Sequence, residues 1–324
     1  MRQWRKRLLW GVLLLGGLYS IAWWGAAAWL QEQLTSPHRI GLLQAHCRQP
    51  AVTGFPFAMQ VTCPTVQVDT PVAALNTGAL EVQGSAWAPM QIRIDLRDTL
   101  SFVHQDPPAR LDGQWTAASS TVNWQSSGIR QGNLEVADLR LTFSSLSVVP
   151  ISVDAEMVTA ALYPSNSASP ALFLAASFGK FSSNILDLPD ADLEIEGRIS
   201  HPDATVPTVV PLPDVIAPGT RIDIDQLSIS TQTMHVSIEG ELIADDSGML
   251  SGDLVATGRE YAPLVKALFP RMGEEERQNF LQLISAFSAP IELDGQAARR
   301  LPLQVRNGQI FAGFWPLGQL PALF

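Results

Sequence analysis

A chain of 324 residues can bury one large core or two smaller ones, and its formal charge of −10 is unevenly placed. Residues 1–30 hold four of the 21 basic residues (Arg2, Arg5, Lys6 and Arg7) and no acidic one, so the rest carries 17 basic against 31 acidic residues, a charge of −14. That balance excludes the basic footprint of a nucleic-acid binder and flat electrostatic adsorption of this part onto anionic headgroups; solubility is its ordinary explanation.

The organising stretch is residues 8–30, which hold no charge. With leucines from Leu8, Leu14 and Leu18 to Leu30 and a rise of about 1.5 Å per residue, its helix is long enough for the roughly 30 Å hydrocarbon layer. Trp23, Trp24 and Trp29 crowd one end, and Trp4 and Trp10 the other, as interfacial aromatics do. The basic cluster belongs on the cytoplasmic side, which sends the remaining 294 residues across. A secretory signal with a small-residue site at Ala26, Ala27 and Ala28 is the other reading. The run is longer than a signal core, and the helix formers Gln31, Glu32 and Gln33 follow without a break, so an uncleaved anchor is favoured. Either way the rest is exported, and the favoured expectation is a single-pass membrane protein with its N-terminus cytoplasmic and its bulk on the far side. Residues 1–46 are then a basic stub, an anchor and a helical extension, with a break near Ser36 and Pro37.

Cys47 and Cys63 stand 16 positions apart, which in an oxidising compartment reads as a disulfide; the plain alternative is two buried thiols. A metal pair lacks ligands, since His46 alone is near. Gly54 and Pro56 mark a turn, and residues 57–63 alternate as a strand. Strands are expected at 66–68, 79–84, 90–96, 109–117, 121–125, 134–143, 146–162, 172–181 and 192–200. Their spacing predicts antiparallel meanders. Residues 165–170 form a polar loop. Five prolines between residues 201 and 219 exclude a central strand and make that segment a surface crossing, the natural seam between β-rich parts at 47–200 and 220–324 if there are two.

Strands resume at 221–230 and 234–240, and Asp245, Asp246, Ser247 and Gly248 make a hairpin turn between 241–244 and 249–257. Helical spacing then predicts a hairpin of helices within 260–288, at 261–269 and 274–287, with Glu274, Glu275 and Glu276 at the positive end of the second. Closing strands are expected at 291–293, 301–305 and 309–314. Residues 314–324 are uncharged, and such a tail needs a protein groove or lipid to cover it.

Motifs for hydrolase elbows, zinc peptidases, phosphate loops and Cys-x-x-Cys pairs are missing, so neither a catalytic residue, a metal ligand nor a cofactor is assigned. The histidines are scattered, and His235 reads as a strand residue. Asp223 and Asp225 share a strand face, where an exposed polar face outweighs acid–base work. Asp245 and Asp246 offer too few oxygens for calcium. Trp87, Trp115 and Trp124, together with Phe314 and Trp315, are candidates for an apolar groove, with ordinary core packing as the alternative.

Gly54, Phe55, Pro56 and Phe57 with Cys63 after them, then Ile238-Glu-Gly240, the turn at 245–248, Gly252-Asp-Leu254 and the ending Pro316-Leu-Gly-Gln-Leu-Pro321 resemble the bacterial domain-of-unknown-function family 2125, found mainly in alphaproteobacteria. The resemblance spans nearly the whole chain and implies a membrane-anchored, β-rich exported body with no catalytic residues to carry over. The plan is also similar to that of AsmA-like envelope proteins, whose curved sheet handles lipid on an apolar inner face; that likeness is one of architecture. The expected fold is mainly β, a large curved antiparallel sheet of one or two subdomains, with one N-terminal transmembrane helix and a C-terminal helical hairpin. The expected role is non-enzymatic: binding or passing a lipid or other apolar ligand, or alternatively docking another envelope protein in an assembly.

Overall fold

The computed structural model describes residues 2–35, 38–40, 43–70, 72–105, 108–125, 128–145, 148–164, 171–184, 188, 190–200, 218–270, 272–293 and 295–323. The polar loop expected at 165–170 and nearly all of the proline-rich crossing (201–217) lie outside these residues. The chain is mainly β, as expected, and divides into two compact units: residues 1–121 with 143–148, and residues 122–142 with 149–324.

The first unit opens with helix α1 (Arg2–Thr35), whose last residue donates its hydroxyl to the Glu32 carbonyl at 2.8 Å. The helix stops just ahead of Pro37, which disfavours an α conformation before it. Beyond it the chain is strand, correcting the helical extension expected to residue 46: β1 (His38–Ile40) pairs β2 (Leu43–Arg48). The reason is tertiary, because Gln44 to Arg48 also pair with Asp69 to Thr65, and Cys47 is bonded to Cys63.

From β2 onward the unit is a meander of long strands, each interrupted at one level. The segments are β3 (Ala51–Thr53), β4 (Ala58–Cys63), β5 (Thr65–Asp69), β6 (Ala73–Thr77), β7 (Leu80–Ser85), β8 (Ala88–Leu96), β9 (Thr99–Gln105), β10 (Pro108–Gln114) and β11 (Ala117–Gln125). One ladder runs β2–β5–β6–β9–β10, and the other β3–β4–β7–β8. The interruptions fall at Gln49–Pro50, Pro64, Gly78–Ala79, Arg97–Asp98 and Trp115–Thr116, which are neighbours across the meander. Gln49 and Asp98 take positive φ there, and a Cβ on Gly78 would lie 2.4 Å from the Arg97 carbonyl oxygen, so only glycine fits.

The second unit is a longer meander: β12 (Gly128–Ser145), β13 (Val148–Pro164), β14 (Ala171–Ser183), β15 (Ala191–Ser200), β16 (Arg221–Ser230), β17 (His235–Ala244), β18 (Leu250–Arg259), β19 (Ala289–Leu293), β20 (Gln296–Arg306), β21 (Gln309–Ala312) and β22 (Trp315–Gln319). Strands β13 to β18 pair in chain order, and β20 joins β18. Because β15 and β16 pair from Asp192–Ser230 to Ser200–Arg221, the stretches on either side of the proline-rich segment share one sheet, and the division into units falls elsewhere.

Two helices follow β18: α2 (Ala262–Leu268) and α3 (Glu274–Phe287). Three glutamates occupy the first turn of α3, and Glu276 accepts the Gly273 N–H at 3.0 Å, satisfying one of the amides a helix start leaves free. Their inward side chains, Val265 and Ile284, are buried with Leu242, Leu254, Leu301, Leu303 and Val305 of the sheet. A second cluster joins Ala267 to Met234, Val236, Leu188 and Ala191. The apolar tail is covered by this same core: Leu317, Leu320 and Leu323 pack against it, and the Leu320 and Leu323 amides donate to the Gly308 and Gly248 carbonyls.

Candidate functional site

Successive side chains of a strand alternate between faces, so residues directly opposed across an antiparallel ladder share one. Leu162, Leu174, Gly197, Ile224, Gly240, Leu254 and Leu303 are successive partners across seven strands, from β13 to β20. Alongside run Leu172, Ile199, Ile222 and Leu242, and, on the other side, Ala176, Ile195, Leu227 and Ile238. Among the described residues these rows make one apolar face wider than its cover. The helices and tail occupy the β16–β20 half, where Ile222, Ile224 and Ile238 join the core. On β13–β15 the rows continue as Leu162, Leu172, Leu174, Ile195 and Ile199, and none of these five belongs to either core cluster. Leu174 is 37% exposed.

The other face of the same strands is polar. Thr159, Ala161, Ala175, Ser177, Glu194 and Glu196 line a shallow depression of about 340 Å³, with Asn133 and Glu135 of β12 at its side. Gln226 donates to Glu194 at 3.3 Å, and Arg198 pairs with Asp225 at 2.9 Å. The small side chains leave the depression open, and its lining mixes alanines with hydroxyl and carboxylate side chains.

In the first unit a second apolar surface surrounds the turn at Gly54. Its φ of +102°, and a Cβ that would lie 2.8 Å from the Ala58 carbonyl oxygen, restrict this position to glycine. The turn is packed on α1: Trp23 and Tyr19 meet the Phe55 ring at 5.3 and 6.2 Å, and the Tyr19 hydroxyl donates to the Pro56 carbonyl. Elsewhere on the described part of α1 most large apolar side chains face outward. Leu14, Leu15, Leu18, Ile21, Trp24 and Trp29 are mostly exposed, whereas Trp23 and Ala27 are buried. Among the described residues no helix is long and apolar enough to cross a membrane; side chains are described without a gap only from Leu14, so Leu8 lies outside that stretch.

The five aromatics singled out in the sequence are divided between the two units. Trp87 is 80% exposed and stacks on Phe57 at 5.7 Å, while Trp115 is half-buried and donates its indole N–H to the Leu96 carbonyl at 3.1 Å. Both belong to the first unit, and Trp124, Phe314 and Trp315 to the second. Phe314 stands edge-on to Phe287 at 5.4 Å and is mostly exposed; Trp315 lies on β22. The leucines of the β13–β15 face drew no attention in the sequence, because alternation gives the parity of a residue but not what covers it.

The polar candidates have structural partners. Asp223 accepts from Arg221 at 3.0 Å, Asp225 pairs with Arg198, and His235 lies opposite Arg259 in the β17–β18 ladder. One Asp245 carboxylate oxygen accepts the Ser247 hydroxyl at 2.7 Å and the Ser247 and Met249 amides at 2.8 and 3.0 Å. The Ser247 hydroxyl, then these amides, hold the Asp245 carboxyl below the usual carboxylate range. Burial among the core residues pushes the Tyr261 phenol up, opposed by Arg299. Among the described residues no three His, Cys, Asp or Glu side chains gather as metal ligands would.

Neither the curated proteins nor the solved structures contain a match to this chain. The sequence profile of the family described as an uncharacterized protein conserved in bacteria, domain-of-unknown-function family 2125, matches residues 24–321. That span takes in the glycines that the fold restricts, Gly54 at the α1-packed turn and Gly240 and Gly252 between β17 and β18. The chain belongs to the bacterial domain-of-unknown-function family 2125.

Proposed function

We propose that this protein is held in a bacterial inner membrane by α1, with its basic N-terminus cytoplasmic and its β body periplasmic, and that it binds or passes a lipid chain or other apolar ligand without catalysing a reaction. The observation that carries the ligand reading is the apolar face of β13–β15, which extends beyond the helices and tail that cover the rest of it. Five aliphatic side chains that join neither core cluster among the described residues favour an apolar guest over water. The exported location is supported by the Cys47–Cys63 bridge, since disulfides persist in oxidising compartments. The anchor is supported by α1: a helix bare of charge from residue 14 to residue 30 and exposing large apolar side chains around most of its circumference belongs in lipid.

Native mass spectrometry of the full chain, released gently from detergent, tests the ligand reading. Wild type is expected to carry lipid adducts that Leu174→Glu/Ile195→Glu loses while its disulfide and melting behaviour persist. Equal adducts on both proteins, or none on either, would remove the β13–β15 face as the binding surface.

A further inference from the structure

The α1 contact places an uncharged part of the first unit beside the helix at a depth that the apolar run itself sets. From Leu8, where charge ends, Tyr19 lies about 16 Å along the helix and Trp23 about 22 Å. A hydrocarbon layer of about 30 Å beginning at Leu8 therefore extends about 14 Å beyond Tyr19. Yet Tyr19 and Trp23 are the residues that hold Phe55 and Pro56. A tether that merely suspends the β body above the membrane is incompatible with this packing.

The β body is built for the deeper position. The 54–57 turn lies beside the 86–88 turn, the Ala86 amide donating to the Phe57 carbonyl at 2.9 Å and Trp87 stacking on Phe57. Phe55, Phe57, Trp87 and Met90 are all exposed. No charge occurs between Arg48 and Asp69, or between Glu81 and Arg93. At about 3.3 Å per strand residue, Arg48 stands roughly 17 Å from Thr53, and Glu81 and Arg93 each roughly 20 Å from Trp87. The uncharged length of these hairpins thus exceeds the 14 Å that the α1 contact requires, and the first charges remain in water.

We infer that the hairpin tips at 54–57 and 86–90 insert into the distal leaflet alongside α1, with Phe55, Phe57 and Trp87 against acyl chains. The occupant of this apolar tip is the bilayer itself, because the tip is continuous with the helix face packed on it. The inference rests on the anchor reading of α1 and adds that the β body shares its membrane contact.

The test reconstitutes the full chain in vesicles of phosphatidylethanolamine and phosphatidylglycerol containing a diazirine-acyl phospholipid, then maps photolabelled peptides. Label is expected on α1 and on peptides holding residues 54–57 and 86–90, and not on residues 65–77 beyond the strand interruptions. In Phe57→Ser/Trp87→Ser the tip label is expected to be lost while α1 stays labelled and the Cys47–Cys63 bridge still forms, showing a folded unit. Vesicle-bound protein labelled on α1 alone would overturn the insertion and leave the anchor standing. Protein that fails to float with the vesicles would overturn both.

Discussion

Removing the Cys47–Cys63 bridge is expected to loosen the first unit and spare the second. The bridge ties the end of β4 to β2 beside the interruption at Pro64, with Cα atoms 5.5 Å apart, and Cys63 is buried. Closing a loop across 16 residues removes denatured-state entropy worth about 3 kcal/mol at room temperature. In Cys47→Ala/Cys63→Ala that contribution is lost from the unit whose unfolding opens the loop, residues 1–121 with 143–148. Hydrogen exchange of the detergent-solubilised chain reads the effect peptide by peptide. Amides of β4 to β9 are expected to lose roughly 100-fold in protection, since about 1.4 kcal/mol is a factor of ten. Amides of β16 to β18 should keep theirs. An equal loss in both sets would show one cooperative body, and no loss in either would show that the bridge constrains nothing in the unfolded chain.

Other positions give equally direct tests. Gly240→Ala places a Cβ 2.3 Å from the Asp253 carbonyl oxygen and 2.8 Å from the Leu254 Cα, both backbone, so the β17–β18 ladder must shift. A loss on the order of 2–3 kcal/mol is expected from the second unit in urea unfolding, and an unchanged midpoint would refute the close approach. Leu303→Ala empties a buried site beneath the helices and should destabilise the same unit by about 2–4 kcal/mol without touching the first. Asp245 is held below its ordinary range when folded, so its contribution is present above the unfolded carboxylate value and disappears as pH falls through the lower folded one. The acid-induced loss of the Ser247 amide shift by NMR should follow this titration, and Asp245→Asn should abolish the dependence; an unchanged acid response in the variant would assign it elsewhere.

How much could be read in advance depends on how local each signal was. The α3 boundaries follow from Phe280, Leu281, Ile284 and Phe287 at helical spacing, and β16 from the alternation of Ile222, Ile224, Leu227 and Ile229, broken by the irregularity before Leu227. Segments β6 and β9 were missed because each is one half of an interrupted strand, and the alternation restarts at Gly78 and Asp98. Strand β22 hid in the uncharged tail, since the core against which Leu317 and Leu320 pack is assembled from β17, β18, β20, β21 and the two helices. The candidate face was illegible for a related reason: Leu174 and Ile199 look like any inward strand residues until register shows that the helices stop short of them. The Phe57–Trp87 stack joins turns 30 residues apart, a distance no local pattern reports.

The central claim, an apolar guest on β13–β15, is tested most directly where the guest would lie. A photoreactive benzoyl-phenylalanine placed at Leu174 of the full chain and activated in living cells should yield a lipid adduct, detected by mass after purification. A specific protein adduct in its place would contradict the account and make this face a docking surface for an assembly partner.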